Sequence, residues 1–172
     1  MRSWSLSFQT GDKIDQEIAL VLETLCKQNF ASQILEEFKT QPRPCDQATK
    51  QKYKEALDIE AATYIPIVKL SQGKYLIGTK VSHLQTNDKG CLVRTGGGFQ
   101  YLGEYLKHHS RTECIELNNL IQRSGCSFGQ TVVALMKKHY ADNQQIRAYQ
   151  RKCSDILGEQ FTDLVALIKK FD

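Results

Sequence analysis

Between residues 64 and 94 the apolar side chains leave helical spacing and fall into short runs, and this change of period constrains the fold most. Residues 64–70, 74–77, 81–85 and 91–94 are short and rich in Val, Ile, Leu and Tyr, which predicts strands. Ser71-Gln72-Gly73 and Asn87-Asp88-Lys89-Gly90 place turn chemistry between some of them. A small antiparallel sheet is expected, with Pro66 confining its strand to an edge or a strand start because proline has no N–H for a ladder. Gly96-Gly97-Gly98 follows, and a helix is expected from about Phe99 to His108, burying Phe99, Leu102 and Leu106.

Helical spacing governs both flanks. Asp12 can cap a first helix in which Ile14, Ile18, Val21, Leu22, Leu25, Ile34, Leu35 and Phe38 recur through about Thr40. Gln41-Pro42-Arg43-Pro44 must end it, since two prolines forbid helical continuation. Asp46 then caps a more polar helix to about Ala62, expected to rest lightly on its neighbours because Tyr53, Ala56 and Leu57 give only weak apolar spacing. After the middle segment, Ser127 with Gln130 forms a capping-box signature ahead of Val132, Val133, Leu135, Met136 and Tyr140. Asp142 can open one long last helix whose Leu157, Phe161, Leu164, Ile168 and Phe171 follow a three-four spacing. Core packing is the favoured role for that stripe, with a partner-facing surface as the alternative. The fold class is therefore α+β, with a small antiparallel module and a following helix set between N-terminal and C-terminal helices. The expected division is 1–63, 64–117 and 118–172.

Charge is unevenly spread. Residues 1–63 hold eight Lys and Arg against ten Asp and Glu, residues 64–114 seven against three, and residues 115–172 eight against six. The middle segment, at +4, is where an anionic partner is expected to dock, and Lys69, Lys74, Lys80, Lys89, Arg94, Lys107 and Arg111 lie on and around its strands. Few aromatics interleave with these cations, so nucleic acid is not favoured. The sequence contains no apolar run near the roughly 20 residues a membrane span needs and opens on no signal-peptide pattern, which reads as cytoplasmic. The six cysteines are scattered without a CxxC pair, which predicts that most are buried, inert thiols and argues against a disulfide framework or zinc ribbon.

Two motifs invite chemistry and carry little of it. Thr95-Gly96-Gly97-Gly98-Phe99 sits where a glycine-rich loop could cradle phosphate, but neither the P-loop lysine and serine nor GxGxxG spacing is present. His108, His109 and Cys114 are close in sequence, yet adjacent helical residues point about 100° apart, and no orienting carboxylate marks a nucleophile. No catalytic site and no cofactor are expected.

Leu70-Ser71-Gln72-Gly73-Lys74-Tyr75 followed by Ile77-Gly78-Thr79-Lys80 resembles the opening of the GAR domain of spectraplakins and growth-arrest-specific proteins. Leu92-Val93-Arg94-Thr95-Gly96-Gly97-Gly98-Phe99 resembles that family's VRVGGGW signature, and Tyr105-Leu106 with His109 resembles its following helix. The resemblance covers about residues 64–117. It implies a compact basic module that binds microtubules, with Gly73, Gly78, Gly96, Gly97, Gly98 and Phe99 as its structural motif. The glycine run would turn the last strand into the helix. Tubulin is thus the implied partner, with other cytoskeletal or axonemal proteins beside it and a location on the cytoskeleton, in the sharper form a ciliary axoneme. The alternative is an adaptor that binds protein partners through its helical arms. Family members carry zinc on cysteines before the first strand and in an Asp-Pro-Cys after the helix histidine. This sequence has Ala61-Ala62-Thr63-Tyr64 and Ser110-Arg111-Thr112 there, so no metal is expected.

Overall fold

Apolar alternation in the middle of the chain builds a five-stranded antiparallel meander, formed by β1 (Ile67–Ser71), β2 (Lys74–Ile77), β3 (Lys80–Asn87), β4 (Gly90–Thr95) and β5 (Gly98–Tyr101) in sequential order. The computed structural model describes residues 12–27, 36, 46–152 and 155–171. The helices are α1 (Lys13–Lys27), α2 (Gln47–Tyr64), α3 (Leu102–Ser124), α4 (Phe128–Lys138), α5 (Asn143–Lys152) and α6 (Asp155–Phe171). The α+β class expected from the sequence is the one observed. Ile34, Leu35, Phe38 and the Pro42 and Pro44 stop lie outside the described residues, as do Cys45 and Cys153.

The expected caps are in place. Asp12 Oδ1 accepts from the Asp15 N–H, and Asp46 Oδ1 accepts from the Thr49 N–H, both at 2.7 Å. Ser127 and Gln130 close a reciprocal capping box at 3.2 and 2.9 Å.

Four features differ from expectation. First, α2 does not rest lightly, because it buries Tyr53, Ala56, Leu57 and every residue from Glu60 to Tyr64, mostly against α3. Its weak amphipathic signal reflects burial of small and polar residues rather than exposure. Second, the glycine run does not feed a helix. Gly96 and Gly97 form the turn of a β4–β5 hairpin, Gly98 takes φ 143°, and the helix starts only at Leu102. Third, that helix continues to Ser124, far past His108, and ends on Gly125 in the left-handed conformation. Fourth, the expected long last helix is two elements, α5 and α6.

One buried cluster draws on residues from all three segments of the chain. Phe161, Leu164, Val165 and Ile168 of α6 are each at most 5% exposed, so this stripe is core and not a partner-facing surface. The side chains of Leu157 and Phe171 lie outside the described residues.

Candidate functional site

Register assigns the sheet two faces, because residues paired across strands point the same way. On one face Lys69 pairs with Tyr75, Tyr75 with Ser82, and Leu84 with Val93. This face lies under α1 and α3. The Tyr75 hydroxyl donates to Asp15 Oδ1, and Gln100 Nε2 lies 3.0 Å from His108 Nδ1. On the other face Lys74 pairs with His83, Gln85 with Leu92, Leu92 with Tyr101, and Arg94 with Phe99. Its β1 end meets α5, and the Asp142 N–H donates to the Leu70 carbonyl at 2.8 Å. Toward β3–β5 it is open, with His83, Gln85 and Arg94 exposed beside Phe99 at 52%.

The structure does not bring the seven expected cations together. Lys69 is not on a solvated face. It is 7% exposed and clamps α1 to β1 through Asp12 Oδ2 at 2.7 Å and Asp15 Oδ2 at 3.1 Å. Burial works to lower the Lys69 pKa, but its bonds to Asp12 and Asp15 outweigh that and raise it, so it stays charged and structural. Arg111 pairs with Asp58 and ties α3 to α2. Lys107 lies 3.8 Å from Glu104 on its own helix. Lys80 sits at 3.7 and 3.9 Å from Glu113 and Glu116. Lys74 donates to the His139 carbonyl at 3.2 Å, at the end of α4. Lys89, in the β3–β4 turn, and Arg94 are exposed and have no acidic partner among the described residues. Lys74 and Arg94 share the open face, and Phe99, expected in the core, is instead exposed on it next to Arg94.

The glycines serve the backbone that presents this face. Gly73 closes the two-residue β1–β2 turn with φ 72°. Gly78 has φ 63°, and a Cβ there would stand 2.9 Å from Glu113 Cβ and 3.0 Å from Ile65 Cδ1, so only glycine fits against α3. Gly96 and Gly97 occupy a hairpin turn rather than a helix N-terminus, which removes the arrangement a phosphate loop needs.

The expectation that most thiols are buried holds for two of the four described cysteines, Cys91 and Cys114, whereas Cys26 is half-buried and Cys126 is exposed. Burial pushes the Cys91 thiol up to about 12 and raises that of Cys114 as well, so both are protonated and unreactive at neutral pH. Cys114 Sγ lies 4.0 Å from the Ala61 carbonyl, at the place where the resemblance would put zinc ligands. Among the described residues no group of three or more His, Cys, Asp or Glu could hold a metal, so this donor set does not fit zinc. The His109 ring instead packs tilted against Tyr105, with ring centroids 4.5 Å apart. No helix among the described residues is long and apolar enough to cross a membrane.

These features define a class: a helix-buttressed antiparallel meander whose central hairpins present an open, cationic and partly aromatic face. Residues 45–114 match the family model described as Growth-Arrest-Specific Protein 2 Domain, the family the two sequence blocks resemble. The match covers less than half of the chain and begins ahead of the resemblance, so that it takes in α2. The matched domain is a cytoskeleton-associated module and not a known enzymatic family. No curated protein and no solved structure matches the chain.

A second cationic surface lies in the C-terminal third, hidden in the net charge of that segment as a whole. Over 115–172 the acids Glu116, Asp155, Glu159, Asp163 and Asp172 dilute it to +2. Over 127–152, Lys137, Lys138, Arg147, Arg151 and Lys152 stand against Asp142 alone, a net +4. The local run of cations over 127–152 is the sequence signal that marks it.

Proposed function

We propose that this protein is a non-catalytic cytoskeletal component that binds microtubules, with the open face of its sheet set against the acidic tubulin surface. The observation that carries this reading is a coincidence of place. The matched domain contains the strands that expose Arg94 and Phe99 side by side, with Lys89 at the adjoining turn. A cation beside an exposed aromatic suits an acidic polypeptide surface, where charge gives attraction and the ring gives buried area. Such binding weakens as salt screens it. The ciliary axoneme is the narrowest form of this proposal, and probing detergent-extracted axonemes for the protein tests it separately.

The main test is co-sedimentation with taxol-stabilised microtubules across a salt series, comparing the wild type with a Lys89→Glu, Arg94→Glu double variant. Both side chains are exposed and unpaired among the described residues, so the variant is expected to fold normally and to lose most of its binding. Wild-type protein that stays in the supernatant at low salt refutes the reading. An unaffected double variant refutes the surface.

A further inference from the structure

Outside the matched domain, α4 and α5 form a helix–turn–helix that exposes Lys137, Lys138, Arg147 and Arg151. Neither helix contains an acidic residue, and none of these four cations has an acidic partner among the described residues. The apolar sides of both helices are spent on the core. Phe128, Val132, Leu135 and Met136 of α4 and Ile146 and Tyr149 of α5 are all buried. What this unit offers to solvent is thus polar and mainly cationic, with Asp142 in its turn as the one exposed acid. Its turn carries Tyr140, 89% exposed and held at φ 60°, a backbone region that bulky residues rarely adopt. The same turn is tied to the open sheet face by the bond from Lys74 to the His139 carbonyl.

We infer that this helix–turn–helix is a second docking site, which takes an acidic, glutamate-rich polypeptide segment presented by the same lattice that the sheet binds. The inference rests on the microtubule reading above. The match is one of charge: four unneutralised cations on one unit, joined through Lys74 to a face that already seeks an acidic partner. A membrane surface fits less well, because an interfacial helix inserts an apolar face and both apolar faces here are buried. Single-stranded nucleic acid fits less well, because it stacks bases on several aromatics and this unit exposes only Tyr140 among the described residues. Two sites on one rigid scaffold make the second contact intramolecular once the first has formed, so overall affinity exceeds that of either alone.

The test uses the full chain with Lys137→Glu, Lys138→Glu, Arg147→Glu and Arg151→Glu combined, beside the Lys89→Glu, Arg94→Glu variant. Each is measured by co-sedimentation with intact and with subtilisin-treated, tail-less microtubules, and by competition with a polyglutamate peptide. Melting curves establish that the variants are folded, with a Lys137→Gln, Lys138→Gln pair in reserve should four reversals disturb the helices. The quadruple variant is expected to bind intact microtubules roughly 30-fold more weakly than wild type, with a shallower salt dependence. It should also be insensitive to tail removal and to polyglutamate. Unchanged binding by the quadruple variant, with loss in the Lys89→Glu, Arg94→Glu variant, overturns this inference and leaves the microtubule reading standing. A quadruple variant that keeps microtubule binding but no longer retains a single-stranded RNA or anionic vesicles overturns it in favour of those partners. A wild type that never pellets removes both.

Discussion

Glu113 projects from α3 beneath the β2–β3 turn, where Gly78 lets strand and helix backbones approach. Its Oε1 accepts from the Thr79 N–H at 3.2 Å and the Thr79 hydroxyl at 2.9 Å, while its buried Oε2 makes no hydrogen bond. Burial raises the carboxyl pKa above its ordinary 4.5, and the Thr79 bonds and Lys80 only partly pull it back. A raised folded-state pKa means this group favours the fold most fully below pH 4.5. That contribution is lost as pH rises through the folded value, after which a buried charge is carried at a constant penalty. Glu113→Gln keeps the acceptor that Thr79 uses and removes the charge. Between pH 4 and pH 7 its stability relative to wild type should therefore improve. Paired thermal melts at the two pH values read this directly. A difference that does not change with pH would mean that Lys80 fully compensates the carboxylate. Lys69 poses the converse case, in which the carboxylates of the α1 cap Asp12 and of Asp15 hold a buried cation charged and make it a clamp rather than a binding residue.

At the scale of elements, the β4–β5 hairpin separates what a helix start and a strand do with one aromatic residue. A helix from Phe99 would have turned that ring into the core. In the hairpin it stands beside Arg94, half exposed. Phe99→Ala is thus expected to shift stability by less than about 1 kcal/mol, against the roughly 3–5 kcal/mol that emptying a core phenylalanine costs, while weakening microtubule binding. Urea denaturation midpoints distinguish the two sizes of effect. The first four strands were legible because each combines β-branched or aromatic residues with glycine-bearing turns nearby. The fifth was not, since Gly98-Phe99-Gln100-Tyr101 is short and runs into Leu102 with no turn residue between them. The cap residues Asp12, Asp46 and Ser127 were legible because capping is a local bond. The candidate site was legible only as a segment. Nothing local separates Lys69 from Arg94, because the carboxylates that pair with Lys69 lie 54 and 57 residues away, on α1 and at its cap.

At the scale of the whole molecule, the matched domain does not carry its own complete core. α6 packs against α2, α3 and α4, and α5 packs against β1, so helices beyond the matched residues help complete the buried cluster. Ile146, Tyr149, Phe161, Leu164, Val165 and Ile168 are each at most 8% exposed. At about 1.5–3 kcal/mol for each fully buried apolar side chain, these six contribute on the order of 10 kcal/mol. That is comparable with the whole net stability of a typical domain, roughly 5–15 kcal/mol. Removing residues 143–172 should therefore abolish the cooperative urea transition seen by near-ultraviolet circular dichroism, leaving no folded module to assay. An adaptor that used these helices only as projecting arms would keep that transition and its midpoint after the same truncation. The same burial explains why a cationic surface could develop on α4 and α5 without disturbing the fold. Their apolar faces are fixed by the core, so substitutions at their outward positions leave the packing intact.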